Sequence, residues 1–188
     1  MDVLAGADFF TTEVLTWRGL VTYYVLFFIE VDSRRVSLGG ITRHPDSCWM
    51  QQVARNATMQ DTGYLNGCRY LLHDRDKKFC REFRETLAAS GVDCMPIRAR
   101  SPNLNSHAER WVRSIKEECL SQLILFGETS LRRVVSEYLE HYHRERNHQG
   151  KGNVLLFPAS TSNKPSAQGA IGCRERLGGL LKYYGRAA

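Results

Sequence analysis

The run Leu20-Val-Thr-Tyr-Tyr-Val-Leu-Phe-Phe-Ile29 permits few structures. It is β-branched and aromatic, and no regular alternation leaves one face for water, so it reads as a central strand buried on both sides. Turn signals flank it, Thr16-Trp-Arg-Gly19 before and Asp32-Ser-Arg-Arg35 after. They divide residues 7–41 into a three-stranded meander, with strands near 7–15, 20–30 and 35–41.

Beyond the meander, helix and strand signals alternate. Pro45 and Asp46 open a helix to about Met59, with Trp49, Val53 and Ala54 at helical spacing. A short apolar strand, Arg69 to His73, ends in Asp74-Arg-Asp76 and hands over to a helix from about Cys80 to Ser90. Gly91 stops that helix, and Val92 to Ile97 reads as a fifth strand. Two helices follow, from about Asn105 to Leu125 and from Ser130 to Arg146. The class is α/β: a five-stranded mixed sheet flanked by helices. A chain of 188 residues with 43% hydrophobic content buries one sizeable core. We place that core in residues 1–150 and read 151–188 as a basic tail containing Gly, Ser and Pro, irregular apart from a short docking helix over Leu177–Tyr184.

The charge is uneven. Of the formal +6, +5 falls within residues 150–188, which suits either a polyanion such as nucleic acid or a solubilising tail. No apolar run reaches membrane-spanning length, and Asp2 stands where a secretory signal carries a basic residue, so the expected location is cytoplasmic. The six cysteines include no Cys-x-x-Cys pair and read as reduced thiols, mostly core fillers. His141 and His143, two apart on a helix, point in different directions, so that helix end reads as surface cations suiting the dipole and not as a metal site.

Three acids stand out. Asp8 enters an apolar strand, which is costly unless it lies at the sheet end or is paired. Asp74 and Asp76 lie where an open α/β sheet places ligands, beyond the carboxyl end of a strand, although an Asp there also caps helices. Glu109 follows Pro102 on a helix capped by Asn103 or Asn105. At roughly 100° per residue, Ala108, Trp111, Val112, Ile115 and Cys119 make its core-facing stripe, and Asn105, Glu109 and Lys116 lie along the stripe's edge. The plain alternative is an exposed pair between Glu109 and Arg113. Carboxylates from three elements make a site for a hard divalent ion such as magnesium, and two such ions could serve phosphoryl transfer.

Together the motifs carry a resemblance. Asp8 in Ala-Asp-Phe-Phe-Thr, His73-Asp-Arg-Asp-Lys-Lys-Phe79, Ser101-Pro-Asn-Leu-Asn-Ser-His-Ala-Glu109 with Lys116, and Tyr142-His-Arg-Glu-Arg-Asn-His148 resemble the catalytic core of DDE transposases and retroviral-type integrases. Thirty-four residues separate Asp74 from Glu109, close to the spacing of bacterial insertion-sequence transposases. The resemblance implies a ribonuclease H-like fold, two Mg²⁺ or Mn²⁺ ions, and end cleavage and strand transfer on DNA by an enzyme that acts as a homo-oligomer. Asp8, Asp74 and Glu109 would be the catalytic, metal-binding triad, with Asn105, Lys116 and Arg113 near DNA. A nuclease on the same fold and a silent DNA-binding remnant are the alternative readings. Two departures stand against the family pattern. Asp76 occupies a position usually held by glycine, and no helix-turn-helix or zinc-binding module precedes Asp8, so the chain is read as a short reading frame, a fragment, or an isolated catalytic domain served by a separate DNA-end-recognition module.

Overall fold

The computed structural model describes residues 3–97, 106–148, 152–158 and 171–186. Strand β2 (Gly19–Glu30) lies between β1 (Val3–Thr16) and β3 (Val36–Thr42) and runs antiparallel to both. Val25 to Ile29 are all buried, as so apolar a run requires. Strands β4 (Cys68–His73) and β5 (Asp93–Pro96) extend the sheet in parallel, giving the order β3-β2-β1-β4-β5. Strand β1 starts earlier than the sequence pattern suggests because Leu4 to Ala7 take parallel partners in Tyr70 to His73. Parallel pairing with β4 stops at Ala7 and His73, while β1 continues, paired with β2 along its other edge.

Helices cover both faces. Helix α1 (Ser47–Ala57) starts where the Asp46 carboxylate accepts a hydrogen bond from Trp49 N at 2.8 Å. With α2 (Arg81–Ala89) it packs Met50, Val53, Phe83 and Leu87 against Ala5, Ala7, Leu26, Phe28 and Leu71. The opposite face meets α3 (Ser106–Glu118) and α4 (Gly127–Arg144). There Trp111 anchors α3, its ring 4.3 Å from Phe27 and 5.8 Å from Phe10, centroid to centroid. Helix α3 is shorter than its pattern predicted. A 3-10 turn at Leu120–Gln122 follows, and the chain then runs extended so that Leu125 O accepts from Leu15 N at 2.9 Å.

Two expectations are corrected. The tail contains no docking helix over Leu177–Tyr184. Instead β6 (Ile171–Arg176) and β7 (Leu181–Arg186) form an antiparallel hairpin through a 3-10 turn, Leu177–Gly179, with Gly178 and Gly179 both at positive φ. It is fastened by Arg176, which donates to Glu145 and Glu137 of the α4 end, while Leu181 joins the core. The histidine-rich end of α4 is no exposed cationic cap. His141, Glu145 and His148 are buried, and His143 Nε2 accepts from Val36 N at 3.0 Å, a neutral role for which burial lowers its pKa to about 4. These side chains stitch α4 to β3 and to its own terminus. Among the described residues, no helix is long and apolar enough to cross a membrane.

Candidate active site

Alternation along the strands decides which acids share a side of the sheet. Phe9 faces α1 and α2, touching Trp49 and Phe79, whereas Phe10 faces Trp111 of α3. Asp8, two residues from Phe10, therefore lies on the α3 side. On β4, Leu71 packs with the α1–α2 cluster and His73 stacks on Phe79, so Asp74 also lies on the α3 side. Asp8 and Asp74 each follow the last paired couple, Ala7 and His73, and so stand at neighbouring positions where the two parallel strands part. Both are half-buried. The cost of an acid in an apolar strand is relieved because β1 loses its β4 neighbour at that point.

Glu109 lies in the first turns of α3 and is exposed. The expected alternative, an ion pair with Arg113, is absent among the described residues. Core contacts of Ala108, Trp111 and Ile115 set the helix rotation, which leaves Glu109 and Lys116 together on one flank. Lys116 Nζ reaches over the Phe10 ring, 6.0 Å from its centroid, so this flank borders β1 just along from Asp8. Arg113 points to solvent. Asn105, the remaining residue expected near DNA, lies outside the described residues.

Hydrogen bonds order the carboxylates. Asp8 Oδ1 accepts from Phe9 N at 2.7 Å, and Asp74 Oδ1 accepts from Asp76 N at 3.1 Å. Asp76 is engaged differently: Lys78 holds both its oxygens, through its backbone N at 2.9 Å and through its ammonium. Partial burial would raise the Asp76 pKa, but those contacts outweigh it and keep the carboxyl below the usual range. Lys78 is itself held 5.4 Å over the rings of Phe9 and Tyr24. Hard oxygen donors are the chemistry a magnesium-type ion takes, and here they come from within β1, from just past the end of β4 and from a flank of α3. Among the described residues, no group of three or more His, Cys, Asp or Glu side chains could hold a metal ion, so Asp8, Asp74 and Glu109 are not gathered into one such group.

The sequence reading gave no separate role to His73. It is buried, its Nε2 has no hydrogen-bond partner among the described residues, and burial lowers its pKa. Beside it a groove of about 410 Å³ is lined by Arg75, Lys77 and Arg84, with Phe79 and Pro96. The lysine and arginines around Asp74 were the signal for it, but their convergence depends on where α2 places Arg84.

This sheet order, with helices on both faces, is a fold that the chain shares with catalytic cores of integrases and transposases of known structure. Residues 90–154 match the family model described as an integrase core domain. In structure, the chain is similar to the HTLV-2 integrase catalytic core domain in complex with magnesium, trimeric form (TM-score 0.58, 15% identity, covering 80% of this chain and 91% of that one). It is similar to a chain of the simian T-cell lymphotropic virus intasome in complex with PP2A regulatory subunit B56 gamma (TM-score 0.58, 14% identity, covering 97% of this chain and 66% of that one). The catalytic domain of Mos1 mariner transposase also matches (TM-score 0.55, 16% identity, covering 72% and 69%). No curated protein matches the sequence.

Proposed function

We propose that this chain is the catalytic core of a DNA transposase or integrase, a polynucleotidyl transferase that cleaves a strand at the end of a mobile element and joins the freed end to target DNA. The observation that carries the reading is the register of β1 and β4, whose last paired residues, Ala7 and His73, are each followed by an acid, Asp8 and Asp74. The integrase core match over residues 90–154 supports it.

In this reading Asp8, Asp74 and Glu109 would hold two Mg²⁺ or Mn²⁺ ions, and the HTLV-2 integrase core to which the chain is similar is a complex with magnesium. When bound, the ions supply activation of the attacking oxygen and charge stabilisation at the phosphorus and the leaving oxygen. The chain's residues do the positioning. The interior of β1 and the end of β4 hold two carboxylates with little freedom to lose, and Trp111 fixes the rotation of the helix that presents the third. Lys116, Arg113 and Asn105 lie close enough in sequence to Glu109 to hold the DNA backbone along α3. Each displacement breaks a P–O3′ bond, with water as the first nucleophile and the released 3′-hydroxyl as the second. In each case the leaving 3′ oxygen takes up a proton.

The core is residues 1–150, and residues 151–188 add basic surface for DNA. Joining two ends calls for at least a dimer of this chain. The expected setting is the cytoplasm, at the nucleoid. The test supplies a labelled donor end and supercoiled plasmid with Mg²⁺ or Mn²⁺. Joined product that disappears in Asp74→Asn supports the reading. Nicking without joining would mark a nuclease, and no metal-dependent nicking by the intact chain would mark a DNA-binding remnant.

A further inference from the structure

The helices cover the two faces of the sheet unevenly. On the α3–α4 face the core reaches the far end of the β1–β2 hairpin, where Val14 is buried and its cross-strand partner Val21 packs beside it. On the other face the α1–α2 cluster takes in Leu26 and Phe28, with Phe9 at its margin. Past them Thr11, Glu13 and Leu15 of β1 and Thr22 and Leu20 of β2 are all exposed. A sheet face open to water is ordinarily polar, as Thr11, Glu13 and Thr22 are. Leu15 and Leu20 break that pattern, and they are paired across the strands.

The segment between α3 and α4 extends this apolar row. Phe126 forms a parallel bridge with Leu15, and exposure alternates along the chain there: Leu125 is 4% exposed, Ile124 and Phe126 74% and 64%. Ile124 and Phe126 therefore share the face of Leu15 and Leu20. Trp17, fully exposed, stands in the turn that joins the two strands. That turn is held in shape, because Thr16 Oγ1 donates to Gly19 O at 2.9 Å and accepts from Arg18 N at 3.2 Å. A single exposed apolar side chain needs no explanation, but five brought together from two strands, a turn and a connecting segment mark an interaction site.

Area and charge say what fits it. With a full aromatic side chain presenting about 150–250 Å², the five expose roughly 600 Å². That is most of the ~800 Å² each partner contributes to a standard interface, and tryptophan and phenylalanine are favoured anchors there. At the rim stand Glu13, on the Leu15 face of β1, and Arg18, next to Trp17; both are exposed and neither forms an ion pair among the described residues. Opposite charges on one rim offer nothing to a polyanion. They do suit a second copy of the same surface, since a two-fold contact lets each Arg18 meet the other copy's Glu13.

We propose that Leu15, Trp17, Leu20, Ile124 and Phe126 form the contact surface between two copies of this chain related by a two-fold axis. The choice of a second copy rests in part on the transferase reading, which calls for two copies. Since the turn is already ordered, association costs little conformational freedom at the anchor residue. The surface lies at the end of β1 remote from Asp8, so the contact leaves the carboxylates of both copies open.

The test measures the mass of the full chain by sedimentation equilibrium, in EDTA and without DNA, from about 1 to 100 μM, a range that spans micromolar dissociation constants. The expected result is a dimer whose association is at least about tenfold weaker in a Trp17→Ser, Ile124→Ser double variant. Both side chains are exposed, so the fold is retained, as circular dichroism will verify. A second arm reads the rim: Arg18→Glu alone weakens the dimer, and Glu13→Arg added to it restores association, a recovery that damage to the fold does not produce. A wild type that stays monomeric throughout, or a dimer whose strength none of these variants changes, overturns the proposal. A monomeric wild type whose affinity for duplex DNA falls in the double variant assigns the patch to DNA and overturns it equally. A chain that dimerises as expected but joins no DNA refutes the transferase reading and leaves this contact standing.

Discussion

Arg176 grips Glu145 in a bidentate pair, Nε to Oε2 and Nη2 to Oε1, each at 2.9 Å. Only 1% of the Glu145 side chain is exposed, so the charge is removed from water and held by protein donors alone, with Arg174 and His141 completing the set. Removing one partner of such a pair leaves an uncompensated buried charge and costs about 3–5 kcal/mol. We therefore expect Arg176→Ala to lower stability by that order and to expose the hairpin. Limited proteolysis within residues 171–186, together with urea denaturation, checks it.

Acid should weaken the same contact. Burial alone would raise the pKa of Glu145, but hydrogen bonds from Arg176 and His141 more than offset that and lower it. A depressed carboxyl contributes stability that is full above its unfolded pKa, about 4.3, and is lost as pH falls through the lower folded value. His143 acts in a separate window. Its pKa, lowered to about 4 chiefly by burial, favours the neutral ring in the folded state. That contribution is complete above about 6.5 and is lost as pH falls toward 4, with a size on the order of 3 kcal/mol. Melting temperature against pH should fall first between 6.5 and 4. His143→Gln should flatten that segment while leaving the drop below it.

How legible this was varied along the chain. The meander was readable because Leu20 to Ile29 admits one environment, and the α3 stripe was readable because Ala108, Trp111 and Ile115 repeat at helical spacing. The tail was not. Its Gly, Ser and Pro content resembles a linker, and the hairpin's anchor is the meeting of Arg176 with Glu145, which no local pattern announces. The histidines misled for the same reason. His143 is neutral because β3 presents Val36 N to it, a tertiary fact that its helical neighbours do not encode. For the candidate site, the acids could be picked out one by one. That Asp8 and Asp74 adjoin depends on β4 inserting parallel to β1.

Trp111 fills the α3 face yet carries a buried indole N–H with no partner among the described residues. Its two contributions oppose each other, since ring burial stabilises and the orphan donor costs about 1–3 kcal/mol. Trp111→Ala should therefore lose about 3–5 kcal/mol through the cavity it leaves. Trp111→Phe, which keeps ring contact with Phe10 and Phe27 and removes the donor, should lose far less. Denaturant midpoints of the two variants decide this. If the pair proves equally destabilised, the ring contacts are not what holds α3.

Asp76 gives the sharpest test of which acids do chemistry. It sits two residues from Asp74, and by charge alone either could hold a cation. Lys78, however, occupies both Asp76 oxygens and is itself fixed over Phe9 and Tyr24, so releasing Asp76 to a metal would break an ordered cluster. Asp74 has an oxygen tied only to the Asp76 backbone N–H, a contact compatible with an ion on the other oxygen. Metal-dependent nicking should therefore fall by at least about a thousandfold in Asp74→Asn, as expected when charge stabilisation at the reacting centre is lost. In Asp76→Asn it should stay within about tenfold of wild type, the loss reflecting Lys78 mobility and not a missing ligand. Equal collapse of both variants, with melting temperatures unchanged, would place Asp76 among the ion's ligands and reassign Lys78 as the group it displaces.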